Sequence, residues 1–292
     1  MSPAILWRAT RAYSLPASIV PVLLGTVLAA RGYGELDGGH FDAVAFAIVL
    51  LGAVLAHFGA NVINDYFDFV HGVDTRPEHG SGALTRGDMT APQALAFAAV
   101  LFAGAALCGL VLLRGHATVV LPLALIGFGC AFFYSAFLKK YGLGDLLIII
   151  AFGLGLTLGA YGVQAGQIGH VQLLRVAVLS VPICLLVDAI LHANNLRDAP
   201  DDRAAHVRTL ATALPASAGQ MLQYVLLFGP LAFVAGGVAT GFLPVWSLGS
   251  LLSLPLLVRA SRSGSVEGTA QAHLAFGVLY TAAFLVRPVF LW

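Results

Sequence analysis

Long apolar segments alternate with short polar connections along almost the whole chain. Each segment is close to the roughly 17–25 residues that a helix needs to cross a lipid bilayer. We therefore predict nine membrane-spanning helices, which are Tyr13–Ala30, Ala43–Asn64, Gln93–Leu113, Thr118–Phe137, Asp145–Gln164, Val171–Leu191, Gly219–Thr240, Leu243–Arg259 and Ala270–Leu291. Two of the connections between these helices are long and polar, 71–92 and 197–217.

The composition supports an all-α membrane protein. Of the 292 residues, 59% are hydrophobic and 10% are charged, and the mean hydropathy is +0.89, whereas a soluble domain carries about 25% charged residues. The net charge of +1 gives no support for a nucleic-acid partner. The three cysteines lie in apolar runs without metal-ligand spacing, so neither a disulfide framework nor a zinc site is indicated. No small-residue cleavage site follows the first apolar run, so we interpret it as a span and not as a removed signal peptide.

The distribution of lysine and arginine predicts the orientation in the membrane. With nine spans, eleven of these residues fall on the side of the N-terminus and four fall on the other side. Because loops rich in positive charge stay in the cytoplasm, we predict a multi-pass protein of the inner membrane with a cytoplasmic N-terminus. The cytoplasmic group is Arg8, Arg11, Arg76, Arg86, Lys139, Lys140, Arg197, Arg203, Arg208, Arg259 and Arg262, and the outer group is Arg31, Arg114, Arg175 and Arg287.

Two acidic clusters stand near the cytoplasmic ends of predicted helices. The first occupies residues 61–68, and the second runs from His192 to Asp202. Charge beside lipid is costly and usually functional, and Mg²⁺ is typically held by one or two carboxylates together with substrate phosphates. If the two clusters face one aqueous cavity, they predict a divalent-cation site and diphosphate chemistry. The first cluster ends the second predicted helix and the second ends the sixth, which indicates an internal repeat of two four-helix units.

Residues three or four positions apart share one face of a helix, so each cluster predicts a polar stripe. The first stripe is His57, Asn61, Asn64 or Asp65, and Asp68, and the second is Asp188, His192, Asn195, Asp198 and Asp202. We interpret both histidines as hydrogen-bonded interior residues and not as metal ligands. Asp188 fits either a polar contact between helices or catalysis, and Asp201 fits a solvated surface group.

The segment 134–145 carries further candidates. Lys139 and Lys140 fit either topology anchors or ligands of a diphosphate. Tyr134 fits a hydrogen bond to phosphate, stacking on a cation, or packing at the membrane interface. The following helix has small residues at positions 151, 155 and 159, a spacing that permits close helix packing and equally fits the ordinary glycine content of membrane helices.

Four segments, taken together and in this order, resemble a known family. They are 7–11 leading into 15–16 and 21–25, the first acidic cluster with 72–75, the segment 134–145, and 194–203 followed by 208–210. They resemble the UbiA superfamily of intramembrane prenyltransferases, and within it the branch that prenylates 1,4-dihydroxy-2-naphthoate in menaquinone synthesis. The wider family often has a third acidic residue where this chain has Gly72. Asp74 follows two residues later, and a direct, a water-mediated or no contact with metal are all open for it.

The resemblance implies a single domain over residues 1–292, with nine transmembrane helices around a central cavity that two long cytoplasmic loops cap. It also implies Mg²⁺ and the transfer of a polyprenyl group from a polyprenyl diphosphate to a small aromatic acceptor. The predicted catalytic residues are Asp65, Asp68, Lys139 and Tyr134. The predicted diphosphate-binding residues are Asn61, Asn64, Arg11, Lys140, Asn195 and Arg197. The predicted metal ligands are Asp68, Asp198, Asp202, Asn64 and Asp74.

Two other functions stay compatible with the sequence. The first is a prenyltransferase of the same superfamily with another acceptor, such as 4-hydroxybenzoate, because the chain has no readable acceptor code. The second is a cation-coupled transporter that uses intramembrane carboxylates. The position of both clusters at helix ends on one membrane face, below long loops, favours a one-sided cavity and therefore an enzyme. Asp65 and Asp68 are both candidates for the base that deprotonates the acceptor.

Overall fold

The computed structural model describes residues 1–32, 39, 41–73, 76–77, 80–133, 142–166 and 169–286. This part of the chain is helical and contains no strand, as predicted. The helices are α1 (Pro3–Ala9), α2 (Pro16–Ala30), α3 (Ala43–Val70), α4 (Ala91–Phe133), α5 (Gly144–Ile148), α6 (Leu156–Ala165), α7 (His170–Ala204), α8 (Leu210–Ala213), α9 (Ala216–Ala239), α10 (Leu254–Ser263) and α11 (Val266–Ala283). The 3₁₀ segments Ala12–Ser14 and Val245–Ser253 precede α2 and α10, and the π-helical segment Ile149–Gly155 joins α5 to α6.

Six helices in the described ranges are long and apolar enough to cross a membrane. They are Ala12–Ala30, Ala43–Val70, Ala91–Gly127, Gly144–Ala165, His170–Ala204 and Ala216–Ala239. The eighth and ninth predicted spans correspond to 245–263 and to α11, which are helical but are not among these six. The described residues therefore confirm a helical multi-pass protein, and the number nine stays a prediction.

Helix α4 contains the third and fourth predicted spans. Its apolar part has 37 residues, about 55 Å at a rise of 1.5 Å per residue, which is longer than the bilayer core of about 30 Å. The backbone leaves the helical region at His116 (φ −133°, ψ 31°). Leu112 and Val120, on opposite sides of this break, pack in one cluster with Ala45 and Val163. The break at His116 therefore divides α4 into two helical parts, and two separate membrane spans in this helix stay a prediction.

The second polar connection, 197–217, is shorter than predicted. Helix α7 continues past the predicted end at Leu191 as far as Ala204, and α3 likewise continues past Asn64 to Val70. An α-helix satisfies its own backbone in water as well as in lipid, so the change from apolar to polar residues marks the membrane boundary and not the helix end. Both acidic clusters therefore lie on helices, which fixes the spacing of their side chains.

The first polar connection lies between Val70 and Ala91, within two residues of its predicted bounds. Its described part has a small core of its own. Ala83 and Met89 are 1% and 2% exposed and pack with Val62 and Ile63 of α3. This connection is therefore packed against α3 and is part of the folded structure.

Helix α2 lies at the centre of the packing, where Val20 and Leu24 are fully buried. A Cβ atom on Gly25 would lie 2.1 Å from the carbonyl oxygen of Thr157 in α6. A Cβ atom on Gly277 of α11 would lie 2.2 Å from Val20. Glycine therefore lets α6 and α11 approach α2 closely, as in other membrane helices.

Of the two interpretations of the small residues at positions 151, 155 and 159, close helix packing is seen at Gly159. A Cβ atom on Gly159 would contact Leu123 of α4 at 3.2 Å. The tightest contact in this region lies at Gly153, where a Cβ atom would be 2.6 Å from the sulfur of Cys184 in α7. The spacing of small residues did not single out Gly153, because its partner lies on a helix far along the chain.

Candidate active site

The two acidic clusters line one cavity of about 170 Å³ between the C-terminal parts of α3 and α7. Its polar wall comprises Arg11, Tyr13, Ser14, His57, Asn61, Asn64, Asp68, Asn194, Asn195, Asp198, Asp201 and Asp202. Its apolar wall includes Ala17, Leu147, Ile148, Ala151, Phe152, Val187, Ile190 and Leu191. The predicted convergence of the two clusters on a single cavity is therefore present in the structure.

On the α3 side, Asn61, Asn64 and Asp68 face the cavity, as expected for positions three or four residues apart. The amide nitrogen of Asn61 donates to the backbone oxygen of Thr10 at 2.8 Å and to the hydroxyl of Ser14 at 3.3 Å. Asn61 therefore fastens the N-terminal segment to α3 in addition to facing the cavity.

Asp65 is not among the residues that line the cavity. It is 6% exposed, forms an ion pair with Arg11 through one oxygen, and accepts a hydrogen bond from the backbone N–H of Ser81 at 3.0 Å through the other. It therefore joins the N-terminal segment to the first connection. A catalytic role for Asp65 stays a prediction.

Arg11 lies on the cavity wall in the left-handed backbone region, with φ 49° and ψ 48°. This conformation is strained for a residue other than glycine, at a cost of about 1–3 kcal/mol, and persists only where the surrounding structure fixes it. Asp65 holds the guanidinium group, and Asn61 holds the preceding residue. The Nε atom of Arg11 is buried and has no hydrogen-bond partner, so it can donate to a ligand in the cavity.

On the α7 side, both oxygens of Asp198 are already engaged. The guanidinium of Arg197 donates to them at 2.7 and 2.8 Å, and the amide of Asn194 donates at 3.0 Å. Arg197 was predicted to bind diphosphate, but it is not among the cavity residues, and its hydrogen bonds go to Asp198 and Asn194. Asn195 does line the cavity, where its Nδ2 atom is buried and has no hydrogen-bond partner.

One ion pair links the first connection to α7. Arg76 lies 3.1 Å from Asp201, and Asp201 lines the cavity. Asp201 fitted a solvated surface group in the sequence, and the structure instead places it at the cavity with this partner. The sequence contained no signal for the contact, because it joins two segments that are distant along the chain.

Both histidines are interior residues with hydrogen bonds, as predicted. The ring nitrogens of His57 lie 2.8 Å from the hydroxyls of Ser14 and Ser18, and its ring meets Phe152 edge to face at 5.5 Å between centroids. His192 is fully buried and lies 3.0 Å from the carbonyl oxygen of Gly219. Because both rings are committed to contacts inside the protein, neither serves as a free metal ligand.

Comparison with known proteins now decides between an enzyme and a transporter. A model of the UbiA prenyltransferase family matches residues 18–287. The chain belongs to the UbiA prenyltransferase family. It is therefore a prenyltransferase, and its apolar helices make it a multi-pass integral membrane protein.

Among its relatives, the UbiA prenyltransferase domain-containing protein 1 homolog of Drosophila melanogaster is 33% identical over 94% of this chain and 77% of its own length. The human UbiA prenyltransferase domain-containing protein 1 is 30% identical, over 96% of this chain and 83% of its own length. These relatives span nearly the whole of this chain, so the family assignment applies to nearly all of it.

Solved structures share the fold at low sequence identity. The apo structure of a UbiA homolog from Aeropyrum pernix K1 has a TM-score of 0.70 and 17% identity over 94% of this chain and 97% of its own. A UbiA homolog from Archaeoglobus fulgidus, bound to GPP and Mg²⁺, has a TM-score of 0.62 and 12% identity over 96% of this chain and 98% of its own. The arrangement of helices in this chain is thus the UbiA fold.

Four predicted site residues of this UbiA-family prenyltransferase lie outside the described residues. They are Asp74, Tyr134, Lys139 and Lys140. Within the described ranges, no group of three or more His, Cys, Asp or Glu side chains is arranged to hold a metal ion alone.

Sequence reasoning did not single out the apolar side of the cavity. Phe152 and Ala151 reach it from the π-helical segment, and Val187 and Ile190 reach it from the middle of α7. Such residues are indistinguishable in the sequence from lipid-facing ones, because both kinds are apolar. Together with the carboxylates, they give the prenyltransferase cavity both polar and apolar lining.

Proposed function

We propose that this protein transfers a polyprenyl group from an isoprenyl diphosphate to an aromatic acceptor, with Mg²⁺ as cofactor and 1,4-dihydroxy-2-naphthoate as the acceptor. The observation that carries the proposal is the convergence of Asp68 from α3 and of Asp198 and Asp202 from α7 on one cavity. A UbiA homolog of the same fold binds GPP and Mg²⁺, which supports the cofactor and the donor. Two features of the sequence support the naphthoate acceptor: the Asn194–Asp198 motif, and Gly72 where the wider family often has an acidic residue, an arrangement that the naphthoate branch tolerates.

The oxygen atoms of the cavity wall fit Mg²⁺. Carboxylate and amide oxygens are the ligands that this hard cation prefers, and Asp68, Asp198, Asp202 and Asn64 supply them from two helices. When bound, Mg²⁺ would neutralise charge that develops on the leaving diphosphate. Asp74 belongs to the same proposed set by its sequence position.

The unpartnered nitrogen atoms of the wall fit a diphosphate. Arg11 Nε and Asn195 Nδ2 are both buried at the cavity without an acceptor. A buried donor without an acceptor costs about 1–3 kcal/mol, which a phosphate oxygen would recover. We propose that these two atoms, with Asn61, Lys139, Lys140 and Tyr134, hold the diphosphate.

Arg197 has a different proposed role from the one that its sequence position suggests. Its guanidinium holds Asp198 by two parallel hydrogen bonds, an arrangement that fixes the plane of a carboxylate. We propose that Arg197 and Asn194 orient Asp198 toward the metal. In the same way, we propose that Asp65 is a positioning residue, which holds Arg11 and the backbone of Ser81. For Asp68 we keep the predicted catalytic role at the cavity.

The reaction we propose is an electrophilic aromatic substitution. The allylic C–O bond of the donor breaks, the electron pair leaves with the diphosphate, and the ring of the acceptor forms the new C–C bond. The ring then becomes aromatic again by losing a proton or, for the naphthoate, its carboxylate as CO₂. Phe152, Ile148 and Val187 keep this side of the cavity apolar, which protects an allylic cation from water and places an aromatic face beside it.

Prenyl transfer by the purified chain tests the proposal. The chain, in lipid nanodiscs with Mg²⁺ and labelled geranylgeranyl diphosphate, is offered 1,4-dihydroxy-2-naphthoate, the same naphthalenediol without the carboxylate, and 4-hydroxybenzoate. We expect a prenylated product and released diphosphate with the naphthoate, and about a hundredfold less product or lower for Asp68→Asn and Asp198→Asn, the typical effect of removing an electrostatic contact. Asp88→Asn is the matched control, since Asp88 pairs with Arg8 and does not line the cavity.

Two results would contradict the proposal in different ways. Near-normal transfer by Asp68→Asn or Asp198→Asn would remove these carboxylates from the reaction. Transfer to 4-hydroxybenzoate and not to the naphthoate would leave the prenyltransferase in place and replace its acceptor.

A further inference from the structure

A buried polar cluster lies behind the cavity wall and has no part in the proposed reaction. It consists of Asp145 at the start of α5 and of Asp188 and His192 on α7, which are 5%, 3% and 0% exposed. None of the three is among the residues that line the cavity, but their chain neighbours Gly144 and Val187 are. The cluster is therefore placed to act on the shape of the cavity and not on its contents.

His192 connects two other helices through its ring. Its Nε2 atom lies 3.0 Å from the carbonyl oxygen of Gly219 in α9, and its Nδ1 atom lies 3.3 Å from an oxygen of Asp145. The carboxyl group of Asp145 also lies close enough to that of Asp188 for a hydrogen bond between them. Asp188 stands one turn before His192 on the same face of α7. These contacts tie α5, α7 and α9 together.

Hydrogen-bonding rules determine how many protons this cluster holds. A backbone carbonyl only accepts, so Nε2 of His192 carries a proton. The bond between Asp145 and His192 needs a second proton, and the bond between Asp145 and Asp188 needs a third, because two ionised carboxylates are both acceptors. With both of these hydrogen bonds formed, the three side chains together would have no net charge, wherever the second and third protons reside.

Burial favours this neutral form. One oxygen of Asp188 and one oxygen of Asp145 are buried without a hydrogen-bond partner. Two ionised carboxylates in this position would be uncompensated buried charges, which are strongly unfavourable. A shared proton removes most of this penalty, so the geometry and the energetics indicate the same state.

The cavity wall beside the cluster has little regular helical support of its own. Helix α5 has only five residues, and the chain continues as the π-helical segment Ile149–Gly155 before α6 begins. Such segments are rare and occur frequently at functional sites. Ile148 and Phe152 from this stretch face the cavity. The hydrogen bond of Asp145 to His192 therefore gives the start of this wall a polar link to α7, in addition to the close packing of Gly153 against Cys184 of α7.

We propose that Asp145, Asp188 and His192 are positioning residues: a neutral hydrogen-bonded cluster that holds the cavity wall at 144–152 against α7 and its acidic residues. The inference rests on the proposed function for its activity measurement. It assigns Asp188 to a contact between helices, and it excludes Asp188 from binding the metal or the diphosphate although it shares a helix face with Asp198.

Two substitutions of Asp188 test whether this position needs a hydrogen-bond donor or a carboxylate. In Asp188→Asn the side-chain amide donates an N–H to Asp145 without charge, so we expect kcat/KM within about fivefold of the wild type, the equivalent of a small hydrogen-bonding change. Asp188→Leu removes the bond, and we expect kcat/KM to fall about tenfold to a hundredfold, as for a shift of about 1 Å in reacting groups. Asp198→Asn is the control in which loss of a carboxylate lowers transfer by about a hundredfold or more.

The experiment uses the full chain in nanodiscs, with folding checked by size-exclusion chromatography and thermal unfolding. A folded Asp188→Asn protein as inactive as Asp198→Asn would show that position 188 needs a carboxylate and would overturn the proposal. Full activity of Asp188→Leu would overturn it as well, since the bond would then position nothing.

Infrared spectroscopy tests the protonation state of the cluster and does not depend on an activity assay. We expect the carbonyl band of a protonated carboxyl group in the wild-type protein and a weaker band in Asp188→Asn. An unchanged band contradicts the neutral cluster, including in the case where Asp188→Leu does not fold. If the wild-type chain transfers no prenyl group, the proposed function fails. The infrared band and the unfolding temperature still show in that case whether the cluster is neutral and hydrogen-bonded.

Discussion

Replacing Asp65 by alanine removes the carboxylate that holds Arg11 beside the cavity. The two side chains are only 8% and 11% exposed, and Nε of Arg11 already has no partner. Breaking a buried ion pair at one partner leaves an uncompensated charge and costs about 3–5 kcal/mol. We therefore expect the unfolding midpoint of Asp65→Ala in detergent to fall by about 6–20 °C, at about 2–4 °C per kcal/mol.

A double-mutant cycle separates the charge from the rest of the contact. Asp65→Asn keeps an oxygen that accepts from the N–H of Ser81, and Arg11→Met removes the guanidinium while keeping much of its volume. Each single variant leaves one charge buried, whereas the double variant leaves none. We expect the double variant to be more stable than the sum of the single effects by about 1–3 kcal/mol, the usual coupling of neighbours in one network.

Prenyl-transfer kinetics of the same three variants provide a second test. If Asp65 acts only by holding Arg11, both single variants raise the KM for the prenyl diphosphate. The KM of the double variant is then no higher than that of the more impaired single variant. Additive losses in kcat would refute this reasoning, because Asp65 would then contribute to the reaction without Arg11. Asp88→Asn is the control, since its ion pair with Arg8 is exposed and is worth less than about 1 kcal/mol.

Three further predictions concern packing and the cofactor. Gly25→Ala places a methyl group 2.1 Å from the backbone oxygen of Thr157, so thermal unfolding should show a loss of stability of about 1–3 kcal/mol or more. Gly109→Ala is the control, because a Cβ atom there meets nothing within 4 Å. Its stability should be unchanged or up to about 1 kcal/mol higher. Chelation by EDTA should abolish prenyl transfer and added Mg²⁺ should restore it, and full activity after chelation would contradict the proposed cofactor. Tyr280→Phe loses a buried hydrogen bond of 3.0 Å to the backbone oxygen of Leu179, which should lower stability by about 1 kcal/mol and leave kcat unchanged, since Tyr280 is not at the cavity.

The positions of the acidic side chains were predictable because helical spacing decides them. Asn64 and Asp68 share a helix face, and both line the cavity, as do Asp198 and Asp202 four positions apart on α7. The meeting of these two helices followed from the cost of charge beside lipid. That argument uses only local periodicity and composition, which a sequence contains in full.

The partners of charged side chains were not predictable in the same way. Arg197 and Asp65 stand in the acidic motifs, yet one holds a neighbouring carboxylate and the other holds Arg11 across the fold. Either arrangement suits an arginine or an aspartate near a diphosphate site equally well. The choice depends on which groups packing brings within about 3 Å, and that is decided by tertiary structure.

The C-terminal end of α7 was also not predictable from the sequence. The switch from apolar to polar residues after Leu191 marks the boundary of lipid, whereas the helix ends at Ala204. Hydropathy measures solvent preference, and the backbone hydrogen bonds of a helix do not depend on it. For this reason the apolar runs predicted where helices are, and predicted less well where they stop.

The small core beneath the connection between α3 and α4 has a practical consequence for inhibitors. Val73 and Gly80 of this connection border the cavity, and Ala83 and Met89 are packed against α3, so lifting it would expose apolar surface to water at a cost of about 25 cal/mol per Å². A compound that reaches the cavity by lifting this connection would have to overcome that cost, whereas one that enters between helices from the acyl chains would not. We expect inhibitory potency in a chemical series to follow partitioning into the bilayer.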